Sequence, residues 1–287
     1  MKIKIMTDTN SGMTTEEAKE LGVELLPMPV IIDHKDYLEG VNVTYQHVFS
    51  AMKKDKNVST SQPSPSELLR CWEKVFDEGY DSIIYIPMSS GLSGSVDAAT
   101  MLSRGIKGDV HVVDNKRISL TQKLSVLDAL KLVEEKKNPE EIVKRLHEKA
   151  LCASIFLSVE TLDYLKKSGR VGSAAHRIGS VLDIKPILSI KGEKLEPIGK
   201  VRGTKRGRKK LIEVLKKELE ESYSHVPTDK LVIGTAGTFS KHQDEEAWRK
   251  EVQEAFPSFN VQYQPLSCSI ASHVGEGAYG LGLIEIE

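Results

Sequence analysis

The sequence predicts an α/β protein of two domains: residues 1–150 with a mostly parallel sheet covered by helices on both faces, and residues 151–287 with a mixed α/β domain. The chain has 287 residues, 39% hydrophobic and 28% charged, which is enough to bury a large core. Apolar strand-like runs alternate with helix-like segments in the first half, the pattern of a parallel sheet. After residue 150 this alternation is interrupted by a predicted hairpin at 187–199, with Gly192-Glu193 at its turn.

The elements of the first half follow from apolar periodicity and from helix-start signals. The predicted strands are 3–6, 28–32, 83–86 and 110–113. The predicted helices are 14–21, 45–53, 65–77, 96–102 and 120–135. The helix at 65–77 has the strongest start signal, because Ser64-Pro65-Ser66-Glu67 combines a capping box with proline at the first helical position.

The second half begins after a helix that Asn138 caps and Pro139 opens. Its further predicted strands are 155–159, 231–235, 261–264 and 281–286. Its further predicted helices are 161–167, 205–221 and 244–255. Strands, helices and a hairpin in this order indicate a mixed α/β domain.

Charge and composition exclude several classes of protein. With 40 basic and 41 acidic residues the net charge is −1, so we expect no overall attraction to nucleic acid or to an anionic membrane. The sequence contains no run of 18 apolar residues, so no membrane-spanning helix is predicted. The start of the chain resembles a strand, not a secretory leader, and its three cysteines are far apart, which together predict a cytoplasmic protein without disulfides.

A serine- and glycine-rich loop directly follows the apolar strand 83–86 and opens a helix. We expect Ser93 or Ser95 to cap that helix, and the amides at its start to attract an anion. A phosphate, a carboxylate and a reacting carbonyl oxygen would all suit such a site. The loop lacks both the Gly-x-Ser-x-Gly spacing of a nucleophile elbow and the lysine of a Walker loop, which weakens hydrolase and nucleotidase hypotheses.

Two other polar clusters are candidates for ligand contact. Ser64 caps the following helix, which leaves Thr60, Ser61 and Gln62 to contact a ligand. The second cluster is a glycine-rich turn before the last strand, where His273 is the titratable group. The histidines show no metal-ligand spacing, so no metal site is expected.

Two basic segments complete the candidates. Residues 200–210 hold seven cations in eleven positions and suit a phosphate, an acidic partner or nucleic acid, although the segment has no aromatic residue for stacking on bases. Residues 166–172 indicate the basic end of a helix that Gly169 terminates.

Seven short segments, in order along the chain, are similar to those of a known family. They are Thr7-Asp8-Thr9, Thr60-Ser61-Gln62-Pro63-Ser64, Ser89-Ser90-Gly91-Leu92-Ser93-Gly94, Tyr164 to Arg170, Ile184-Lys185-Pro186-Ile187-Leu188, Gly199-Lys200-Val201-Arg202 and His273-Val274-Gly275-Glu276-Gly277. The chain resembles the DegV family of bacterial fatty-acid-binding proteins, the FakB-type subunits of fatty acid kinase.

The resemblance implies a DegV-like fold with a fatty acid between the two domains. It implies that Ser61 and Ser93 bind the carboxylate, with His273 close to it and with Thr60 and Gly94 in the same site. The acyl tail is then buried, and the long-chain fatty acid is a ligand, with no cofactor required.

The resemblance also implies a partner, an ATP-dependent kinase subunit that phosphorylates the presented carboxylate to an acyl phosphate for phospholipid metabolism. Arg170 and Arg202 would lie where this partner meets the ligand opening. The chain itself would be a carrier without turnover, with no nucleic acid bound and with at most transient membrane contact.

Two departures from the family pattern concern selectivity and docking. Glu276 stands where the family usually has proline, and Gly203 intervenes before Thr204. Two other hypotheses remain at this point. One is an acyl-ester hydrolase with Ser93 as nucleophile and His273 as base, and the other is a regulatory nucleic-acid binder that uses residues 200–210.

Overall fold

The computed structural model describes residues 1–173, 183–259 and 261–287, and the chain divides into two units. Unit 1 comprises Met1–Leu151 together with Ser267–Ser269. Unit 2 comprises Cys152–Leu266 and Ile270–Glu287. Among the described residues, unit 1 contains two sheets and unit 2 contains one.

Unit 1 contains a parallel sheet of four strands and an antiparallel sheet of three. The parallel strands are β1 (Ile3–Asp8), β2 (Glu24–Leu26), β6 (Ser82–Ile86) and β7 (Asp109–Val112), in the order β2-β1-β6-β7. The antiparallel strands are β3 (Pro29–Ile32), β4 (Lys35–Leu38) and β5 (Val58–Thr60), in the order β4-β3-β5.

Unit 1 has six described α-helices, and all but the helix Tyr45–Lys53 pack on the two faces of the parallel sheet. They are α1 (Thr15–Glu20), α2 (Tyr45–Lys53), α3 (Pro65–Asp77), α4 (Ser95–Ser103), α5 (Leu120–Glu134) and α6 (Pro139–Glu148). Because side chains alternate along a strand, Ile5 and Ile84 pack with α1, α5 and α6, whereas Met6 and Ile83 pack with α3 and α4. The prediction of a parallel sheet with helices on both faces is confirmed.

Unit 2 contains a mixed sheet of six strands in the order β10-β9-β8-β13-β11-β12, antiparallel except for the pair β11 and β12. The strands are β8 (Ala153–Ser158), β9 (Ile184–Ile190), β10 (Glu196–Arg202), β11 (Leu231–Gly237), β12 (Val261–Tyr263) and β13 (Tyr279–Glu285). The helices are α7 (Asp163–Ser168), α8 (Thr204–Ser222), α9 (His242–Ala255) and α10 (Cys268–Val274), whose first residues lie in unit 1. Leu211 of α8 and Trp248 of α9 are buried against the sheet residue Leu281.

Capping residues in the sequence predicted the helix positions well. The predicted capping box of α3 forms, with Ser64 accepting from the N–H of Glu67. Asn138 caps α6 as predicted by accepting from the N–H of Glu141, and here too a capping box forms. The predicted hairpin also forms, from β9 and β10.

Two predictions about local structure were wrong, and a third was incomplete. The strand predicted at 28–32 forms, but it belongs to the small antiparallel sheet, and its apolar pattern does not indicate which strand it pairs with. Neither Ser93 nor Ser95 is the N-cap of α4, since that position is Gly94 and Ser95 is already helical. His273 lies in α10, and the glycine-rich turn begins only after Val274.

Candidate functional site

The loops at the carboxyl edge of the parallel sheet are linked by hydrogen bonds. The N–H of Met88, after β6, donates to Asp8 Oδ2 at 3.0 Å, at the end of β1. The N–H of Ser89 donates to the carbonyl of Arg117 at 2.9 Å, in the loop after β7. In the order β2-β1-β6-β7 the chain leaves β1 in one direction and β6 in the other, so this edge is a topological switch point. Open α/β sheets bind ligands at such points.

Residues 87–94, here called the serine loop, are held from within and from the neighbouring loop. The N–H groups of Leu92 and Ser93 donate to the carbonyl of Ser89, at 3.0 and 3.2 Å. The Ser90 hydroxyl donates to Asp114 Oδ2 at 2.6 Å and accepts from Lys116 Nζ at 2.8 Å. Because these bonds fix both ends of the loop, its backbone is preorganised.

Asp114 is the anionic member of this clamp. Burial raises the pKa of its carboxyl, but hydrogen bonds from the Ser90 hydroxyl and from Lys116 outweigh burial and lower the pKa below its usual value. The Lys116 ammonium lies 2.9 Å from Asp114 Oδ2. The carboxylate therefore stays ionised near neutral pH and accepts from the serine loop.

Ser93 and Gly94 lie at the end of the serine loop, next to the loop that contains Ser61. A Cβ placed on Gly94 would be only 2.7 Å from Gln62 Oε1, so the two predicted polar loops meet here. The Ser93 and Ser95 hydroxyl oxygens are 2.9 Å apart, and the Ser95 N–H donates to Ser93 Oγ at 3.2 Å. Ser93 is partly exposed and Ser61 is exposed, as residues that contact a ligand need to be.

Thr60 is the last residue of β5 and pairs with Val30 of β3. The small antiparallel sheet therefore ends where the loop with Ser61 and Gln62 begins. Ser64, at the other end of this loop, is used by the capping box of α3, as predicted.

Asp8 anchors a buried polar network beneath the serine loop. Its carboxylate accepts from the N–H of Met88 and, at 2.9 Å, from the N–H of Asn10. Gln122 Nε2 of α5 lies 3.4 Å from Asp8 Oδ1 and 3.0 Å from Thr7 Oγ1. Complete burial raises the pKa of Asp8 to about 6, although these hydrogen bonds act to lower it.

Glu39 joins the turn after β1 to the segment 267–269. Its carboxylate accepts from Thr9 Oγ1 at 3.0 Å and from the N–H of Cys268. Ser267 Oγ donates to Asn10 Oδ1 at 2.9 Å in the same turn. Burial raises the pKa of Glu39 to about 7.

In unit 2, His273 precedes a turn that is tied to β11. The Thr238 hydroxyl donates to the carbonyl of Gly275 at 2.6 Å and accepts from the N–H of Ala278 at 2.9 Å. Gly277 has a φ of +83°, and a Cβ there would be 2.9 Å from the side chain of Glu160. Glycine is required at this position for both backbone conformation and space.

Burial, together with the positive charge of Arg170, lowers the pKa of His273 to about 4. The imidazole is therefore neutral at pH 7, with one nitrogen able to donate and one able to accept. Such a ring can bind a carboxyl group by a hydrogen bond without a formal charge.

Arg170 follows Gly169, which ends α7 with a φ of +71°, as predicted for this basic helix end. Its carbonyl accepts from the N–H of Leu195 at 3.1 Å, so the segment pairs with the start of β10. Arg202 is the last residue of β10 and is exposed. Gly203, the departure noted in the sequence, is the N-cap of α8 with a φ of +83°.

The hydrolase hypothesis gains no support from this geometry. Ser93 Oγ interacts with Ser95, a hydroxyl that cannot serve as a general base at neutral pH. Within the described ranges no group of three or more His, Cys, Asp or Glu side chains could hold a metal ion.

Several residues of the site were not found by sequence reasoning. Asp114 and Lys116 directly follow β7, and their place after an apolar strand is the signal that could have found them. Glu39 had no such signal, because it contacts a residue 229 positions away.

Comparison with known proteins assigns the chain to a family. Residues 2–285 match the family described as "Uncharacterised protein, DegV family". A DegV domain-containing protein of Staphylococcus aureus is 30% identical, over 99% of this chain and 98% of the relative. Among the residues searched, no helix has both the length and the apolar character needed to cross a membrane.

Two solved structures are similar along their whole length. One is a fatty-acid-binding DegV family protein of Thermus thermophilus, with a TM-score of 0.87, 27% identity and coverage of 100% of both chains. The other is DegV of Bacillus subtilis, a fatty-acid-binding protein, with a TM-score of 0.85, 25% identity and coverage of 99% of both chains.

Proposed function

Because the chain belongs to the DegV family, we propose that it binds a long-chain fatty acid and presents the carboxylate to a partner kinase. The observation that carries this proposal is the preorganised serine loop at the switch point of the parallel sheet, in a chain similar to fatty-acid-binding proteins. Ser93 is then a hydrogen-bond donor and not a nucleophile.

The carboxylate is bound by hydroxyl groups. A buried carboxylate is costly unless it is hydrogen-bonded, and bonds to a charged acceptor are the stronger ones. Ser61 and Ser93 are the proposed donors, with Thr60 and Gly94 in the same site and His273 as a neutral third donor. The closeness of Gly94 and Gln62 supports the part of this site that lies in unit 1.

The acyl tail supplies the affinity. Burial of about 15 methylenes at about 0.8 kcal/mol each gives roughly 12 kcal/mol before the costs of association and ordering. The hydroxyl groups contribute less free energy, but they set which end of the fatty acid stays reachable.

The reaction takes place with ATP bound by the partner subunit. A carboxylate oxygen attacks the γ-phosphorus of ATP, the bond to the ADP oxygen breaks, and an acyl phosphate and ADP result. Arg170 and Arg202, on unit 2, are proposed to meet the partner and the transferred phosphoryl group. This chain then acts as a carrier subunit in the cytoplasm, and its acyl phosphate enters phospholipid metabolism.

We propose a domain boundary after residue 150, and the N-terminal segment of unit 1, Met1–Leu151, supports this position. Ser267–Ser269 nevertheless pack with unit 1. We therefore expect a fragment of residues 1–150 to lack the contacts that these three residues make to Asn10 and Glu39.

The decisive experiment asks whether a fatty acid copurifies. Native mass spectrometry and solvent extraction of the purified protein should detect a long-chain fatty acid, and delipidated protein should bind palmitate or oleate. Ser61→Ala combined with Ser93→Ala should weaken binding by at least tenfold, because a charged acceptor loses two hydroxyl donors.

Ser103→Ala is the matched control, since this serine of α4 donates within its own helix. Unchanged affinity in the double variant would remove Ser61 and Ser93 from the site. Protein that neither contains nor takes up a fatty acid would overturn the proposal. Labelling of Ser93 by a fluorophosphonate probe, with turnover of an ester, would support a hydrolase instead.

A further inference from the structure

The first turn of α10 is capped by a residue that is distant in sequence. Glu39 Oε1 accepts from the N–H of Cys268, and the same carboxylate accepts from the N–H of Ser269. These are two of the amides that a helix start leaves without a partner inside the helix. The other carboxylate oxygen of Glu39, Oε2, accepts from Thr9 Oγ1 at 3.0 Å.

Helix starts are usually capped by the residue that directly precedes them. Ser267 occupies that position, and its hydroxyl donates to Asn10 Oδ1 at 2.9 Å. Thr9 and Asn10 belong to the single turn Thr9–Ser11 that follows Asp8. The start of α10 is thus fixed twice to the turn after β1, once by Glu39 and once by Ser267.

We propose that Glu39 is a positioning residue for His273, because it fixes the start of the helix that carries this histidine. The proposal rests on the proposed function, in which His273 binds the fatty-acid carboxyl group. Glu39 itself touches no substrate and acts through α10.

The dimensions of α10 make this positioning effective. His273 lies five residues after Cys268, about 7.5 Å along the helix axis at about 1.5 Å per residue. A tilt of about 10° about the capped end would move the histidine by about 1.3 Å. A shift of that size breaks a hydrogen bond, since donor and acceptor must lie within a few tenths of an ångström of about 2.9 Å.

The environment of Glu39 disfavours its charged form. Burial raises the pKa of this carboxyl to about 7, so the site bears the cost of a desolvated acid. Exposed acidic residues are close by in the same hairpin, such as Asp36 of β4, and bear no such cost.

The test compares Glu39→Ala and Glu39→Gln with the wild-type protein, and Asp36→Asn is the matched control. Three quantities are measured: hydrogen exchange of the amides of Cys268 and Ser269, the pKa of His273 by NMR, and the Kd for palmitate. For Glu39→Ala we expect exchange to rise about tenfold, the pKa of His273 to move from about 4 toward about 6.5, and the Kd to rise about tenfold.

Glu39→Gln should give smaller changes in the same direction, because its amide oxygen still accepts from α10. If Glu39→Ala fails to fold, Glu39→Gln still tests the proposal. Unchanged exchange at residues 268–269 and an unchanged His273 pKa in both variants would overturn the proposal, even if thermal stability falls. Wild-type protein that binds no palmitate would instead count against the proposed function, while exchange and the histidine pKa would still decide the role of Glu39.

Discussion

In unit 1 the polar side chains at the carboxyl edge of the parallel sheet are buried and bonded to one another, whereas in unit 2 the cations at the start of α8 are exposed. Asp8, Asn10 and Gln122 are fully buried. Arg202, Lys205 and Arg206 are exposed, and the first turn of α8 contains no acidic residue.

The difference shows two ways of using polar groups. The buried network costs desolvation free energy, which its hydrogen bonds offset in part, and it fixes the backbone of the serine loop. The exposed Lys205 and Arg206 contribute little to stability, and they lie at the positive end of the helix dipole. Their placement is unfavourable for the helix and favourable for contact with an anionic partner.

The largest expected effect comes from ionisation in the buried network. The pKa of Asp8 is about 6 in the folded protein and 3.8 in the reference state, so the folded state binds the proton more tightly. The stabilisation is present below pH 3.8 and is lost as the pH rises through about 6, a loss of about 3 kcal/mol. Asp8→Asn cannot ionise, so its free energy of unfolding relative to wild type should rise from pH 4 to pH 7.

Denaturant unfolding at several pH values measures this difference. Asp77→Asn, an exposed position at the end of α3, is the control and should leave the pH profile unchanged. Parallel profiles for Asp8→Asn and wild type would mean that Asp8 does not carry the buried charge. Glu39, with a pKa of about 7, makes the free energy of unfolding of all three proteins depend on pH with the same sign.

A smaller effect, and on function alone, is expected in unit 2. Arg202→Ala should leave the free energy of unfolding within about 0.5 kcal/mol of wild type, because exposed charges stabilise little. Palmitate affinity should also be unchanged, while acyl phosphate formation with the partner kinase and ATP should fall about tenfold, as expected when one charged contact is lost.

Lys217→Ala is the control, since this lysine lies far along α8 and pairs with Glu221 at 3.6 Å. Loss of palmitate binding in Arg202→Ala would contradict the assigned role in docking. A destabilisation of several kcal/mol would show that the two units use polar groups alike.

The smallest effect tests the helix dipole. Arg206→Glu should stabilise the protein by about 0.5 kcal/mol at low salt, with Arg206→Ala in between, because an acid replaces a cation in the first turn of α8. Thermal unfolding at low and high salt measures this, and the gain should shrink as salt screens the charges. A loss of stability in Arg206→Glu would show that the arginine makes a stabilising contact.

Helix positions were predictable from sequence to within a few residues. The helix from Pro65 to Asp77 has its start and end where the capping box and apolar period place them. The helix α10 was missed, and the carboxylate of Glu39 that binds its first amide is 229 positions away in the sequence. The strand at 28–32 was predicted from sequence, but the sheet to which it belongs was not.

The residues of the candidate site were found in part, for the same reason. The serine loop and the loop with Ser61 stood out by composition, and that they meet at Gly94 and Gln62 follows only from the folded chain. Asp114, Lys116, Gln122 and Glu39 are ordinary polar residues in the sequence, and their roles arise from contacts between loops.

The amino-acid sequence alone determined the α/β class, most helix ends and the family resemblance, because these depend on periodicity, caps and short motifs that act over a few residues. Only the tertiary structure decided which loops share the carboxyl edge of the parallel sheet and which acids are buried there. Strand order and desolvation depend on partners far apart along the chain, such as Asp8 with Met88 and Glu39 with Cys268. A local sequence pattern contains no information about which residues so far apart along the chain come into contact.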